Sequence, residues 1–463
     1  MDKSEVTAKL ADCIASVDYE TIPEPALQVA RAVTLDGLAN MLAGSREPLG
    51  KILTGFVSSM GGAPKATVIG TNVKTNPPLA AFANAAFCHS MDYEAMWWPP
   101  THPTSPVLPG LIALAEQEGS SGKRVLEALV VGFEVQGRLN LCADWIADPY
   151  AYFHPPGTIG AIGSAAACAK ILGLDSWTTR MAIGIAASRT GGLWANTGTM
   201  TKSQHSANAA RTGVEAALLA RAGYTSNENI LESKKGGFGQ LIFGAEADLA
   251  KALENFAAPF RMVNPGITLK KYPAQTTTHW CIDAAVELRE RYHLKAADID
   301  QVRARVGYPN WSAHWPKPRS GLEGKFSIHY TVALALLDGD LTIDSFTNER
   351  RFASDVEAML GKIVIEEDKE IPSGLNFAET WATLTITLSS GEVISTRCER
   401  PRGRWDNPLT TEERHAKFAK CAARVLEAPV VHEIISLIER FDDQENLIQL
   451  TSLLRTSGRE GAS

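Results

Sequence analysis

The chain has 463 residues, more than one hydrophobic core usually organises, so two domains are expected. Apolar residues make up 45% and charged residues 21%, enough to offset chain entropy in a packed interior, which excludes a wholly disordered protein. A net charge of −7 with no basic block excludes the long-range attraction that drives nucleic-acid binding, so an anionic ligand must be held by a local pocket.

The segment from Met1 to Pro25 is acidic and lacks the basic-then-apolar order of a secretory signal, which points to a cytoplasmic location. No window offers about 18 uninterrupted apolar residues, so no membrane span is expected. From residue 1 to about 265 the pattern reads as helix after helix. Ala26–Val33 and Val125–Val135 repeat apolar residues at helical spacing. Gly160–Ala169 is small and apolar on every face, so that helix belongs in the middle of the assembly. Near Pro265 the texture changes. Gln301–Gly307 and Ala382–Leu388 alternate at period two, and the turn Ser389-Ser390-Gly391 leads into Glu392–Ser395, giving strands and one hairpin. Ile328–Leu337 and Val356–Leu360 read as helices between them. The chain returns to helix from Thr411 through Ile438, with Thr410 and Glu413 as a capping box, and frays after Arg455. The expected fold is mainly α: a helical domain from 1–267 and 402–463, with a smaller α+β unit, 268–401, inserted.

Four islands concentrate chemistry. In His89–Pro106 a helix is expected to end in Trp97 and Trp98, before a proline-rich loop bearing His102. The bland alternative is a rigid turn in which His102 satisfies a backbone group. Phe153–Gly160 carries His154, and its Gly157, Gly160 and Gly163 resemble a nucleotide-binding turn. No strand precedes them, so helix packing is the better reading. Asn196–His205 places Lys202 in a Gly, Thr and Ser loop between apolar helices, where a buried ammonium needs an anion; the alternative is a solvated surface lysine. Thr268–His279 carries Lys270 and Lys271 at the domain junction, one of them solvated. The cysteines Cys13, Cys88, Cys142, Cys168, Cys281, Cys398 and Cys421 show no Cys-x-x-Cys spacing, and no metal-binding motif or hydrolase elbow is present, so no metal is expected. The histidines, lysines and one aspartate that remain suit carboxylate binding and proton transfer.

Several further stretches carry a resemblance: His89-Ser90-Met91-Asp92 through His102-Pro103, Ala113–Glu116, Glu134–Arg138, Phe153–Pro156, Thr201-Lys202 with His205, Lys270–Pro273, Phe326–Tyr330 and Asn407–Thr410. Together they resemble the MmgE/PrpD family, most of all its cis-aconitate decarboxylases. The resemblance implies a helical domain built from both chain ends, an inserted lid, a homodimer, no cofactor, and a site in the cleft between domains. It implies that Asp92, His102, His154, Lys202 and Lys270 are catalytic, with Met96, His205, Gln275 and Trp311 binding substrate. Three of these depart from the decarboxylase pattern: Met96 stands where threonine is expected, Gln275 where histidine is, and Trp311 near an expected tyrosine. The expected activity is a lyase decarboxylating or dehydrating a small polycarboxylate. An isomerase or epimerase using the same residues is the alternative, and a non-catalytic dimeric binding protein a third. In the expected mechanism Lys202 and Lys270 meet carboxylates and developing charge, His102 and His154 carry protons, and Asp92 orients His102.

Overall fold

The structure is a computed structural model and describes residues 5–143, 152–244, 247–374 and 376–456. It is mainly helical. Helices Val6–Ser16, Glu24–Gly44, Pro77–His89, Thr104–Glu118, Gly122–Asn140, Pro155–Ile171 and Met200–Arg221 share one apolar core, to which the late helices Thr411–Ala422 and Ala428–Glu439 add Phe418, Cys421, Val431 and Ile434. Pro155–Ile171 lies at the centre and is buried along its length except at the edge residue Lys170. Its glycines allow close helix packing. A Cβ on Gly163 would lie 2.3 Å from Gln136 Cγ and 2.8 Å from the Gly132 carbonyl oxygen, so a side chain there would force neighbouring helices apart.

A second core gathers Trp280, Ile282, Val302, Tyr330, Leu334, Val356, Leu384 and Ile386. Its sheet has the strand order Ile363–Asp368, Ile299–Gly307, Ala382–Leu388, Val393–Cys398. The first pair is parallel, with Val302 opposite Ile363. The others are antiparallel, with Val302 opposite Ile386 and Ile386 opposite Ile394. Val302, Ala304 and Val306 face inward while Arg303 and Arg305 face solvent, so period two sets the buried face. The helices His279–Tyr292 and Ile328–Asp338 pack on that sheet.

Four details depart from the sequence reading. The helix before the first island ends at His89, and Trp97 and Trp98 lie beyond it, where Met96 pairs with Thr268. Lys202 sits in the first turn of the Met200–Arg221 helix instead of a loop. Thr410 and Glu413 do form a capping box, but the helix stops at Ala422 and restarts at Ala428, where Pro429 fits the first turn and would have broken a continuous helix. The strand Ile363–Asp368 was not anticipated, because Ile363-Val364-Ile365-Glu366-Glu367-Asp368 is a block pattern without alternation. The stretch expected to fray lies, apart from Thr456, outside the described residues.

Candidate active site

Asp92 follows the Pro77–His89 helix by three residues and holds φ +53°, the left-handed region that costs a non-glycine residue roughly 1–2 kcal/mol. Two lysines converge on it. Its Oδ1 accepts from Lys202 Nζ at 2.7 Å and its Oδ2 from Lys270 Nζ at 2.9 Å; Lys270 also donates to the Asp92 carbonyl at 2.6 Å. All three side chains are buried. Burial alone would raise the Asp92 carboxyl, but Lys202 and Lys270 outweigh it and hold the group well below the usual carboxylate range. Burial pushes the Lys270 ammonium down to about 8, against the opposing pull of Asp92.

Next to this triad lies an imidazole cluster. His102 Nε2 is 3.3 Å from Asp92 Oδ1, and His102 Nδ1 is 3.6 Å from Glu94 Oε1 without a hydrogen bond. Glu94 is spent on His89 Nδ1 at 2.5 Å and on the Ser105 backbone N–H at 2.7 Å. His154 caps the start of the central helix, where prolines at the first two positions forgo N–H groups that the first turn leaves unpaired anyway. Its Nδ1 lies 3.3 Å from His205 Nδ1, so one ring must donate and the other accept. Burial, reinforced for His89, His154 and His205 by Lys202, lowers all four imidazoles: His102 to about 3, His205 to about 4, His89 and His154 well below the ordinary value. All four are neutral at neutral pH. The group titrating near neutrality is a lysine, not the histidines the sequence favoured for that property, because desolvation disfavours every buried cation.

The expected residues come together with one exception. Asp92, Met96, His102, His154, Lys202, Lys270, Gln275 and Trp311 line one small inner pocket of about 50 Å³, which shares Thr197, Gln275, Trp311 and Phe326 with an outer vestibule of about 240 Å³. His205 does not line the pocket; one helical turn beyond Lys202, it backs His154. Met96, Phe326, Phe377, Trp194 and Trp311 also line the pocket, with Lys202 Nζ 5.6 Å from the Phe326 ring and the Trp194 ring packed on Trp311 at 5.0 Å and on His154 at 5.4 Å. Gln275 Oε1 is committed to its own loop, accepting from Thr277 N at 2.8 Å and Ser312 Oγ at 3.1 Å as the cap of a short turn. A larger cavity of about 410 Å³ lies elsewhere, lined by Tyr93, Lys271 and Lys417. It is in the small pocket that ionisable side chains with unspent hydrogen-bonding capacity converge.

Sequence reasoning missed Glu94 and His89. Both lie inside the first island, but nothing in their spacing marks an acid and an imidazole as buried. The structure also brings together three groups whose sequence spacing suggested no shared metal: His89, Glu94 and His102 offer ligand atoms within 4.8 Å of one another. Ligand atoms around a tetrahedral zinc lie about 3.3 Å apart. In this structure Glu94 Oε1 and His89 Nδ1 are held to each other by a short hydrogen bond of 2.5 Å.

The chain is 32% identical over 462 residues to a cis-aconitate decarboxylase of Homo sapiens, covering 97% of this chain and 94% of that one. It is 26% identical to a cis-aconitate decarboxylase of Aspergillus terreus, covering 98% and 96%. It is 27% identical to a 2-methylcitrate dehydratase of Cupriavidus necator, covering 85% and 84%. The MmgE/PrpD N-terminal domain matches residues 8–250 and the MmgE/PrpD C-terminal domain residues 272–443, so the chain belongs to the MmgE/PrpD family.

Proposed function

We propose that this protein is a cofactor-independent lyase that decarboxylates or dehydrates an aconitate- or citrate-like acid, working as a cytoplasmic homodimer. We also read 1–267 with 402–463 as one domain and 268–401 as the other, which the two apolar cores support. One observation carries the catalytic reading: two buried lysines share a single aspartate on the floor of a pocket walled by two neutral imidazoles.

Asp92 keeps both ammonium groups charged in a dry site and loads them toward the pocket. An incoming carboxylate takes up their remaining N–H capacity, and its negative charge raises the neighbouring imidazoles, opposing the effect that Lys270 on His102 and Lys202 on His154 add to burial. In decarboxylation the bond to the departing carboxylate breaks, and its electron pair spreads onto the remaining carboxylate beside Lys202 and Lys270. His102 or His154, protonated on binding, then returns a proton to carbon. In dehydration one imidazole takes the proton beside the carboxylate, and the other gives a proton to the leaving hydroxyl.

The apolar wall points to the kind of acid. Met96 offers no hydrogen-bond donor, and Gln275 and Trp311 offer only neutral N–H groups where the decarboxylase pattern expects histidine and tyrosine, so a third carboxylate at that end would meet no charged partner. The preferred acid therefore carries a less polar group or one fewer carboxylate there, and cis-aconitate is a poor substrate. Proton NMR in heavy water with a panel of di- and tricarboxylates tests both statements. Loss of carbon dioxide marks a decarboxylase and a new alkene signal a dehydratase. Solvent deuterium exchange without net change marks an isomerase and overturns the lyase reading. If cis-aconitate proved the best acid of the panel, the substrate assignment would fall while the lyase stood.

A further inference from the structure

The chain segments bearing Asp92 and Lys270 run side by side, yet only Met96 and Thr268 pair in the manner of a sheet, with N···O distances of 2.9 and 2.8 Å. Between residues 91 and 93 on one segment and 270 and 273 on the other, the inward carbonyls need other donors. Two buried lysines, neither of them lining the inner pocket, supply these donors. Lys417 Nζ donates to the carbonyls of Tyr93 and Lys270, each at 2.8 Å, and its third N–H meets Asp36 Oδ1 at 2.6 Å. Lys325 Nζ donates to the carbonyls of Met91 and Pro273, each at 3.1 Å, with the face of Phe346 at 4.6 Å. Each ammonium thus ties one residue flanking Asp92 to the Lys270 segment. Lys325 comes from the second core's loop and Lys417 from the late helix Thr411–Ala422.

Burying an ammonium is costly unless every N–H is used, and apolar side chains would fill the same space more cheaply. We propose that Lys325 and Lys417 are positioning residues, which hold the Asp92 and Lys270 segments in register so that one carboxylate reaches both reactive ammonium groups. The inference rests on the reading of Asp92, Lys202 and Lys270 as the reactive centre. Without either staple the left-handed turn at Asp92 loses a tether, and the carboxylate drifts from Lys270, while Lys202, carried on a separate helix, keeps its place.

The test uses the full chain and the acid most rapidly turned over in the heavy-water panel. Lys325→Met and Lys417→Met are each expected to lower kcat about tenfold or more while KM changes less than about threefold. The same replacements made in an Asp92→Asn background should cost less than about twofold further, since a residue that acts through Asp92 has nothing left to position. Ethylammonium should restore part of the activity of Lys417→Ala, because Lys417 also lines the 410 Å³ cavity from which a small amine can enter. A methionine variant that melts below the assay temperature is replaced by the glutamine variant, which keeps a donor and is held to the same expectations. Full kcat in both variants, or losses that simply add to that of Asp92→Asn, would overturn the inference. Lys202→Ala separates the two failures: if it is inactive while the staple variants are fully active, only the staples are wrong. If it too is active, or no acid is turned over, the reading of the reactive centre falls and the inference with it.

Discussion

Two buried polar clusters in this molecule look alike in composition and differ in how completely they are closed. Around Glu134 and Arg138, Arg138 Nε meets Glu134 Oε1 at 2.6 Å, and its other nitrogens donate to the carbonyls of Glu254, Asn255 and Pro259. The carboxylate accepts the backbone N–H groups of Ala257 and Arg261 at 2.9 and 2.6 Å. Every nitrogen of the guanidinium and both oxygens of the carboxylate are engaged, and what the pair does is pin residues 254–261 to the Gly122–Asn140 helix. Around Asp92 the inventory is deliberately open at one side. Lys202 spends one N–H on Asp92, and His102 Nδ1, His89 Nε2 and Thr101 Oγ1 have no hydrogen-bond partner among the described residues. A closed network holds a fold, whereas an open one beside a cavity is ready to meet a ligand.

The contrast predicts opposite phenotypes. Arg138→Met strands the Glu134 carboxylate and should cost about 3–5 kcal/mol of stability, read by denaturant unfolding, with kcat per folded molecule unchanged. Lys202→Ala and His102→Ala should do the reverse, lowering turnover about a hundredfold or more with little change in melting temperature, since Asp92 keeps Lys270 as a partner. Were Lys202→Ala to unfold the protein while Arg138→Met did not, the assignment of the two clusters would be inverted.

A pH profile sharpens the comparison. Lys270 is lowered to about 8, so it is charged below that pH and neutral above it, and the rate should fall as pH rises through about 8. His102, at about 3 in the free protein, adds no inflection in kcat/KM near neutrality, but a proton taken up on binding makes kcat/KM fall with rising pH there as well. Binding a polycarboxylate should then be accompanied by proton uptake, as the bound charge raises the imidazoles; an unbuffered pH trace on mixing with the unreactive saturated analogue of the acid that the panel favours, at a concentration shown to bind, measures it. Absence of uptake would remove the histidines as proton donors. The smallest effect belongs to the pocket's apolar end. Met96→Thr with Gln275→His should raise activity on cis-aconitate about tenfold, with a loss of about 1 kcal/mol from the Gln275 cap, and steady-state kinetics with a thermal melt check both.

Much of this arrangement was legible beforehand. The all-round apolar Gly160–Ala169 stretch announced a central helix because a helix with no polar face has no solvent side. The alternation in Gln301–Gly307 and Ala382–Leu388 announced a sheet with one buried face. Lys202 stood out because it sits among small polar residues between apolar helices, where a buried charge requires a partner, whereas only the resemblance separated Lys270 from Lys271. Other features left no local trace. Lys325 and Lys417 resemble any surface lysine in sequence, since what buries them is contributed by residues up to 324 positions away. Glu94 and His89 become a pair only when the chain turns at Asp92, and the block pattern of Ile363–Asp368 hides a strand whose partner is some sixty residues earlier. Spacing reports periodic faces, and a site assembled from irregular loops has none.

The late helices carry a consequence for biosynthesis. Phe418, Ile434, Phe441 and Leu450 complete the same apolar core as Leu10 and Leu38, and the Gly70 N–H is paired by the Leu454 carbonyl at 2.8 Å. A nascent chain on the ribosome holds Asp92, Lys202 and Lys270 long before it holds Lys417 or the residues that seal that core. Until synthesis passes residue 454, a large apolar surface on the earlier helices stands open to chaperones, and the reactive centre has only part of its support. Any message truncated after the Lys270 codon but before that point would encode every residue proposed for the chemistry and still yield no enzyme.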